Sequence, residues 1–482
     1  MLKQLLKDSI IYGISSIFSR GITLLMVPLY TRVLSPGDYG IIEILTIVTN
    51  LVNLSIALEI SQGLAIYYSS AKTDSDRVEY ASTALYFTII TNSLFLIVAL
   101  SLSQKLSLWI LGSSNLQTIF QAAVISMWGN GIFYLLQSQL RWQLKPKGYA
   151  VSSIVFSLVS TGLTTILLFV FKVGVIGVFY SLFTGQIVGI VLAGYFVRHS
   201  YKLKFNWQKC KQMLGFSIPL VFSSISVWVA LYIDRIAINQ LMTLSDVGIY
   251  GIGYRFASVA GLFLIGFQGA LTPLIFHNYE KPDTPKELAR VFRYFLALVL
   301  PMIVGISVFS HEILSLFTTP DYYAASQIIP LLALAIILSN MYIFTPGIDL
   351  AKKTLIIAVV NIISAIANTI LSFTLIPYLG ISGAALATLL SAAATFAIYM
   401  KFSQKFYYIP HQWNKIISAT IVATFLGITG FAIGAILVFP KLLILTIKFF
   451  LIIVCIGLLS YLLLDIQELK TLTQSMILRM KR

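Results

Sequence analysis

Few ionisable side chains stand inside otherwise apolar stretches of the chain, among them Arg20, Glu43, Glu59, Asp234, Arg235 and Arg255. A charge at mid-bilayer costs roughly 2.5–3.5 kcal/mol on insertion scales, so each of them should face a cavity or a partner. A guanidinium presents a planar fork of donors that matches phosphate oxygens. Arg20 falls near the middle of the first apolar segment, and Arg255 about two turns into the eighth. A structural ion pair with Glu43 or Glu59 is the competing reading for both arginines. Asp234 and Arg235 are adjacent, about 100° apart on a helix, so they need not pair with each other.

Other chemistries find no support in the residue pattern. The four histidines, His199, His277, His311 and His411, fall in loops or near helix ends. None joins a cysteine or carboxylate at metal-ligand spacing, and they read as solvated polar residues. No Gly-x-x-x-x-Gly-Lys-Ser/Thr loop is present, and Gly251-Ile252-Gly253 lacks the third glycine of a dinucleotide fingerprint. The expectation is a protein that is not an enzyme and carries no cofactor. Cys210, beside a polar loop, and Cys455, inside an apolar segment, imply no disulfide.

The elements that position the six charges follow from composition. Hydrophobic residues make up 58% of the 482 positions and charged ones only 10%, far from the roughly 25% charged residues of soluble domains. Apolar segments of 18 or more residues read as spanning helices. They lie near 10–33, 39–66, 81–102, 116–140, 149–171, 174–197, 213–240, 247–276, 291–310, 323–346, 354–376, 380–400, 416–439 and 442–464. The fold class is therefore an all-α polytopic membrane protein with about fourteen spans. The ten-residue alternation of a transmembrane barrel is absent. The first segment is too long for a cleaved signal peptide and should stay as a helix.

A net charge of +16 could suggest nucleic acid, but the placement of the charges points elsewhere. With the N-terminus inside, one set of alternate loops collects 25 of the 33 Lys and Arg residues, from Lys3 and Lys7 to Lys481 and Arg482. The opposite loops hold little beyond Arg32, Lys105, Lys172 and Lys441. This is the positive-inside bias, and it places both termini in the cytoplasm. Anionic lipid headgroups are a further partner of the basic loops, and no basic-aromatic groove recommends nucleic acid.

Sliding the chain against itself by 208 residues brings Ser9, Ile10, Ser15, Ser16, Ile17, Asp38, Gly40 and Ile41 onto Ser217, Ile218, Ser223, Ser224, Ile225, Asp246, Gly248 and Ile249. A shift of 206 brings Lys147, Gly174 and Gly177 onto Lys353, Gly380 and Gly383. The two signals agree in order, as an internal duplication requires. Six spans per copy is an even number, so both copies enter the membrane in the same direction, a recurrent transporter plan with cargo between the halves. The expected organisation is an N-terminal lobe over 1–212, a C-terminal lobe over 213–411, and two added helices with a cytoplasmic tail over 412–482, beside the central cleft. Asp38 and Asp246 can cap the helices that follow them, and Gly174-x-x-Gly177 and Gly380-x-x-Gly383 suit close helix contacts.

Pro28-Leu29-Tyr30-Thr31-Arg32-Val33-Leu34-Ser35-Pro36-Gly37-Asp38-Tyr39-Gly40 closely resembles the opening of bacterial polysaccharide exporters in the multidrug/oligosaccharidyl-lipid/polysaccharide (MOP) flippase superfamily. Leu244-Ser245-Asp246-Val247-Gly248-Ile249-Tyr250 looks like its second-half equivalent, and Asp234-Arg235 and the stretch Ile376 to Thr388 are also similar. The resemblance spans essentially the whole chain. It implies an inner (plasma) membrane flippase that moves undecaprenyl-diphosphate-linked oligosaccharide, such as an O-antigen unit, to the outer leaflet, with the bilayer and polysaccharide polymerase or assembly proteins as partners. Arg20 and Arg255 become candidates for holding the diphosphate, with Arg32 and Arg235 next in line. The resemblance also implies cation coupling through Asp234, with Asn361, Asn368 and Thr388 as oxygen partners for Na⁺, or with H⁺ in its place. A buried aspartate hydrogen-bonded for packing is the alternative. A multidrug cation antiporter of the same superfamily stays open through Glu43, Glu59 and Asp234. A membrane polysaccharide polymerase would need a sizeable outer loop, and every outer loop is short.

Overall fold

A computed structural model describes residues 21–22, 25–436 and 440–464. Arg20 and most of the first expected span lie outside the described residues. Among these residues the chain is helical, with α1 Val27–Val33, α2 Pro36–Ser55, α3 Ile60–Ser70, α4 Asp74–Ser101, α5 Ser103–Leu111, α6 Gln117–Trp142, α7 Pro146–Phe169, α8 Val175–Val197 and α9 Trp207–Leu241. There follow α10 Leu244–Asn278, α11 Thr284–Val308, α12 Ser310–Phe317, α13 Ile329–Asn340, α14 Gly347–Leu350, α15 Thr354–Leu379, α16 Ile381–Phe406, α17 Trp413–Ile436 and α18 Lys441–Leu463. Eleven helices of the described residues are long and apolar enough to cross a membrane, or twelve when α2 and α3 count as one span bent by 43°. The eighth expected segment is the 35-residue α10. The all-α membrane architecture stands, with the described spans close to the expected fourteen.

Helices are the only open-ended solution here, because in lipid each backbone N–H and C=O must be satisfied within its own segment. Their outward faces stay apolar: Ile362, Ile363, Ile366 and Ile370 of α15 and Phe449, Phe450 and Ile453 of α18 are all exposed. Since lipid is as apolar as leucine, helix contacts rest on small residues that let backbones approach. On α8, Gly185 sits against Phe156 and Ser160 of α7, and Gly189 against the Phe133 ring of α6. Gly177 and Gly383 are packing positions too, since a Cβ at Gly383 would lie 2.5 Å from the Leu375 carbonyl.

The chain divides into two compact units, Met1–Gly251 and Ile252–Arg482. Within the first, α8 packs on α6 and α7, and α9 packs on α2, α3 and α4. Within the second, α16 packs on α13 and α15, while α17 and α18 both pack on α11. The last helix, α18, is fixed to α11 and α12 by polar contacts. Lys448 Nζ, almost wholly buried, reaches Glu312 Oε1 at 2.6 Å, and Arg293 Nη1 donates to the Leu463 carbonyl at 2.8 Å.

The duplication is visible in the geometry of the first unit. Ser35 caps α2, with its Oγ accepting from Asp38 N while Asp38 Oδ2 accepts from Ser35 N. Thr243 and Asp246, each 208 residues on, repeat that reciprocal box before α10. The aspartates thus act from the third helical position, where a side chain reaches back to the cap's own N–H, and the caps themselves are Ser35 and Thr243. The two helix starts also touch. A Cβ on Gly40 would fall 1.8 Å from the Leu244 carbonyl oxygen, and one on Gly248 would fall 2.0 Å from that of Pro36. Leu244 is the repeat equivalent of Pro36, so the contact is reciprocal.

Candidate functional site

The charged residues of the first unit converge on one buried cluster. Arg235 of α9 is 1% exposed. Its Nε lies 3.1 Å from Glu43 Oε1 of α2, and its Nη1 lies 3.3 Å from Asp234 Oδ1 and donates to the Leu231 carbonyl at 3.2 Å. Asp234 Oδ1 accepts from Arg235 N at 2.8 Å, and Asp234 Oδ2 accepts from Tyr250 Oη at 2.6 Å. The guanidinium also lies over the rings of Tyr232 and Tyr250, 5.7 and 5.5 Å from their centroids. Asp234 and Arg235 therefore do pair. Their Cα–Cβ directions diverge, but the long arginine side chain folds back along its own helix while the short carboxylate bonds the next N–H. Glu43, expected as a possible mate of Arg20 or Arg255, is held by Arg235. A Cβ at Gly251 would come within 3.1 Å of the Glu43 carboxyl, so a small residue there leaves it room.

The remaining candidates are placed as follows. Arg32 is exposed in the last turn of α1. Arg255 is half-buried on α10 in the second unit, and its carbonyl accepts from Ser258 Oγ at 2.7 Å. The oxygen partners expected around Asp234 belong to the second unit, whereas Asp234 belongs to the first. Asn361 Oδ1 accepts from Tyr399 Oη at 2.7 Å, Asn368 is buried with no partner for its Oδ1, and Thr388 donates to the Ala384 carbonyl. No group of three or more His, Cys, Asp or Glu at metal-binding distances occurs among the described residues.

His411 departs from its expected solvated state. It packs edge-on against Phe292 and Trp413, with both ring nitrogens buried and without partners. Burial pushes its pKa down to about 4.

The first unit also contains an open recess of about 540 Å³ between α3, α6 and α9. Gln62, Ser69 and Ser70 supply a polar edge, and Ile66, Phe216 and Leu220 an apolar wall. Such a surface suits a molecule with a polar head and a greasy tail.

The model of the polysaccharide biosynthesis protein family matches residues 29–327, well over half of the chain. The chain belongs to that family. A protein of Haloferax volcanii named as a probable low-salt glycan biosynthesis flippase, Agl15, is 26% identical over 241 residues, 49% of this chain and 51% of its own length. The match thus spans about half of that relative. Lsg locus protein 1 of Haemophilus influenzae is 23% identical over 404 residues, covering 79% of this chain and 95% of its own. Among solved structures, the lipid II flippase MurJ in an inward closed conformation superposes with a TM-score of 0.74 at 16% identity, covering 94% of this family member and 98% of MurJ. An inward-facing multidrug resistance MATE transporter of the MOP superfamily gives 0.65 at 14% identity, over 80% and 94% of the two chains. The fold is like that of these two transporters.

Proposed function

We propose that this protein is a flippase of polysaccharide biosynthesis, moving an undecaprenyl-diphosphate-linked oligosaccharide from the cytoplasmic to the outer leaflet by alternating access. The observation that carries the reading is the match of residues 29–327 to the polysaccharide biosynthesis family on a chain with the MurJ-like fold over 94% of its length. The amphiphilic recess beside Gln62 and Phe216 supports it, because a lipid-linked sugar offers a polar head and an apolar tail together. In this reading both termini are cytoplasmic, the two repeats form the moving lobes, and Arg20, Arg255 and Arg32 supply cations to the diphosphate. Leaving two phosphates unpaired at low dielectric would be very costly. Arg235 contributes from behind, by fixing Glu43 and Asp234.

The test is export of surface polysaccharide in cells lacking their native flippase. The wild-type chain should restore export, Arg20→Ala and Arg255→Ala should abolish it at normal membrane levels, and the lysine variants should restore it in part, since lysine keeps charge without the bidentate fork. Full export by both alanine variants would remove these arginines from the cargo path. The drug-antiporter reading is supported by the MATE likeness, and drug resistance without polysaccharide export would select it. Coupling is tested by Asp234→Asn, which in this reading leaves the protein inserted and weakens Na⁺- or H⁺-dependent transport.

A further inference from the structure

The joint between α2 and α3 contains two successive residues in the left-handed region, Leu58 at φ 48° and Glu59 at φ 51°. Neither is glycine, so the joint is strained, and strain of this kind collects where function requires it. Glu59 is 6% exposed. One of its oxygens bonds the Ser224 hydroxyl, while Oε2 has no partner. Among the described residues, no cationic side chain is paired with this carboxylate.

Beside it lies a cavity of about 10 Å³, lined by Asn53, Glu59, Ser61, Thr88, Asn92 and Gly131 among others. That is the space of one water-sized particle. Five of these residues carry a buried oxygen with no hydrogen-bond partner: Asn53 Oδ1, Glu59 Oε2, Ser61 Oγ, Thr88 Oγ1 and Asn92 Oδ1. The amide orientations are fixed from behind. Asn53 Nδ2 donates to Asn130 Oδ1 at 2.6 Å, and Asn92 Nδ2 donates to the Thr88 carbonyl at 2.9 Å. Gly131 leaves room for the Asn92 amide, which a Cβ there would meet at 2.5 Å. The lining thus offers two amide oxygens that cannot donate, the Glu59 carboxyl and two hydroxyls. A water molecule has only two hydrogens to give, fewer than the unpartnered oxygens that line the cavity.

We propose that this cavity binds a dehydrated monovalent cation of the size of Na⁺, held by Glu59, Asn53 and Asn92 and completed by the Thr88 and Ser61 hydroxyls. Hard oxygen donors suit such an ion, a single carboxylate matches a single positive charge, and the small volume disfavours a larger one. An interrupted membrane helix is also where the electrostatics of helix ends favour bound ions. The occupant would tie the α2–α3 joint to α4, making the geometry of the bend depend on Na⁺. The site shares no residue with the set expected around Asp234, and its occupancy is independent of what the protein carries.

Binding of radioactive Na⁺ to the purified full-length protein in detergent, at fixed pH, tests this, together with thermal melting in NaCl and in choline chloride. Wild-type protein should bind Na⁺ saturably, lose it to unlabelled Na⁺ but not to choline, and melt higher in NaCl. Glu59→Gln should lose both effects. Thr88→Val, which keeps the shape of the side chain, should weaken binding at least about tenfold, the size a supporting contact contributes to a metal site. It also serves where Glu59→Gln fails to fold. Absence of saturable binding to the wild type would overturn the proposal, leaving water as the occupant. So would a melting temperature that follows pH alone, which would mean a proton, or binding lost in Asn361→Ala and kept in Glu59→Gln or Thr88→Val.

Discussion

Arg235 shows how one side chain can hold a membrane-buried site in order. It sits between two carboxylates and two aromatic rings with almost no exposure, so removing it would leave Glu43 and Asp234 buried with their shared cation gone. Breaking a buried pair in this way costs about 3–5 kcal/mol. Arg235→Ala should therefore lower the melting temperature and the membrane level steeply, and Glu43→Gln combined with Arg235→Gln should recover part of the loss. Equal stability of Arg235→Ala and wild type would show that the cluster is not a stabilising unit. His411 gives a pH dependence with a definite sign. Its folded pKa of about 4 lies below the ordinary value near 6.5, so between those values the unfolded chain binds the proton and the native one does not. Stability is full above pH 6.5 and falls as the pH drops toward 4. His411→Phe, which cannot take a proton, should flatten the melting temperature between pH 7 and 5 in detergent; an unchanged slope would assign the acid sensitivity to other groups.

At the scale of elements, the spans were legible and the joints were not. Runs such as 354–376 and 442–464 stood out because lipid-facing positions must be apolar whatever they pack against, and α15 and α18 bear this out. The bend between α2 and α3 was invisible, because Asn53-Leu54-Ser55-Ile56-Ala57-Leu58-Glu59 contains neither glycine nor proline. Its only signal was the buried glutamate itself. Partners far apart in sequence were likewise hidden: nothing in the order of residues links Glu43 to Arg235, or Glu312 to Lys448. Lys448, in the interior of α18, was nonetheless a readable sign that this helix has a polar neighbour. Lys448→Ala should strand Glu312 and loosen α18 from α12, at a cost of about 3 kcal/mol. Glu312→Gln in the same chain should reduce that cost, and limited proteolysis near 437–441 would report the loosening.

For the whole molecule, topology is the property with the most leverage, since every depth assigned to a charge depends on it. The placement of the basic loops predicts that alkaline phosphatase fused after Lys211 is inactive and that a fusion after Ser113 is active. The reverse pattern would invert the membrane orientation, and with it the direction of transport. The reciprocal approach of Gly40 to Leu244 and of Gly248 to Pro36 has an evolutionary reading. Such reciprocity is what a self-complementary twofold interface would leave behind if two copies were joined in one polypeptide. A surface that mates with its own copy can change only symmetrically; a single chain is free to vary each side, yet here a glycine stands on both.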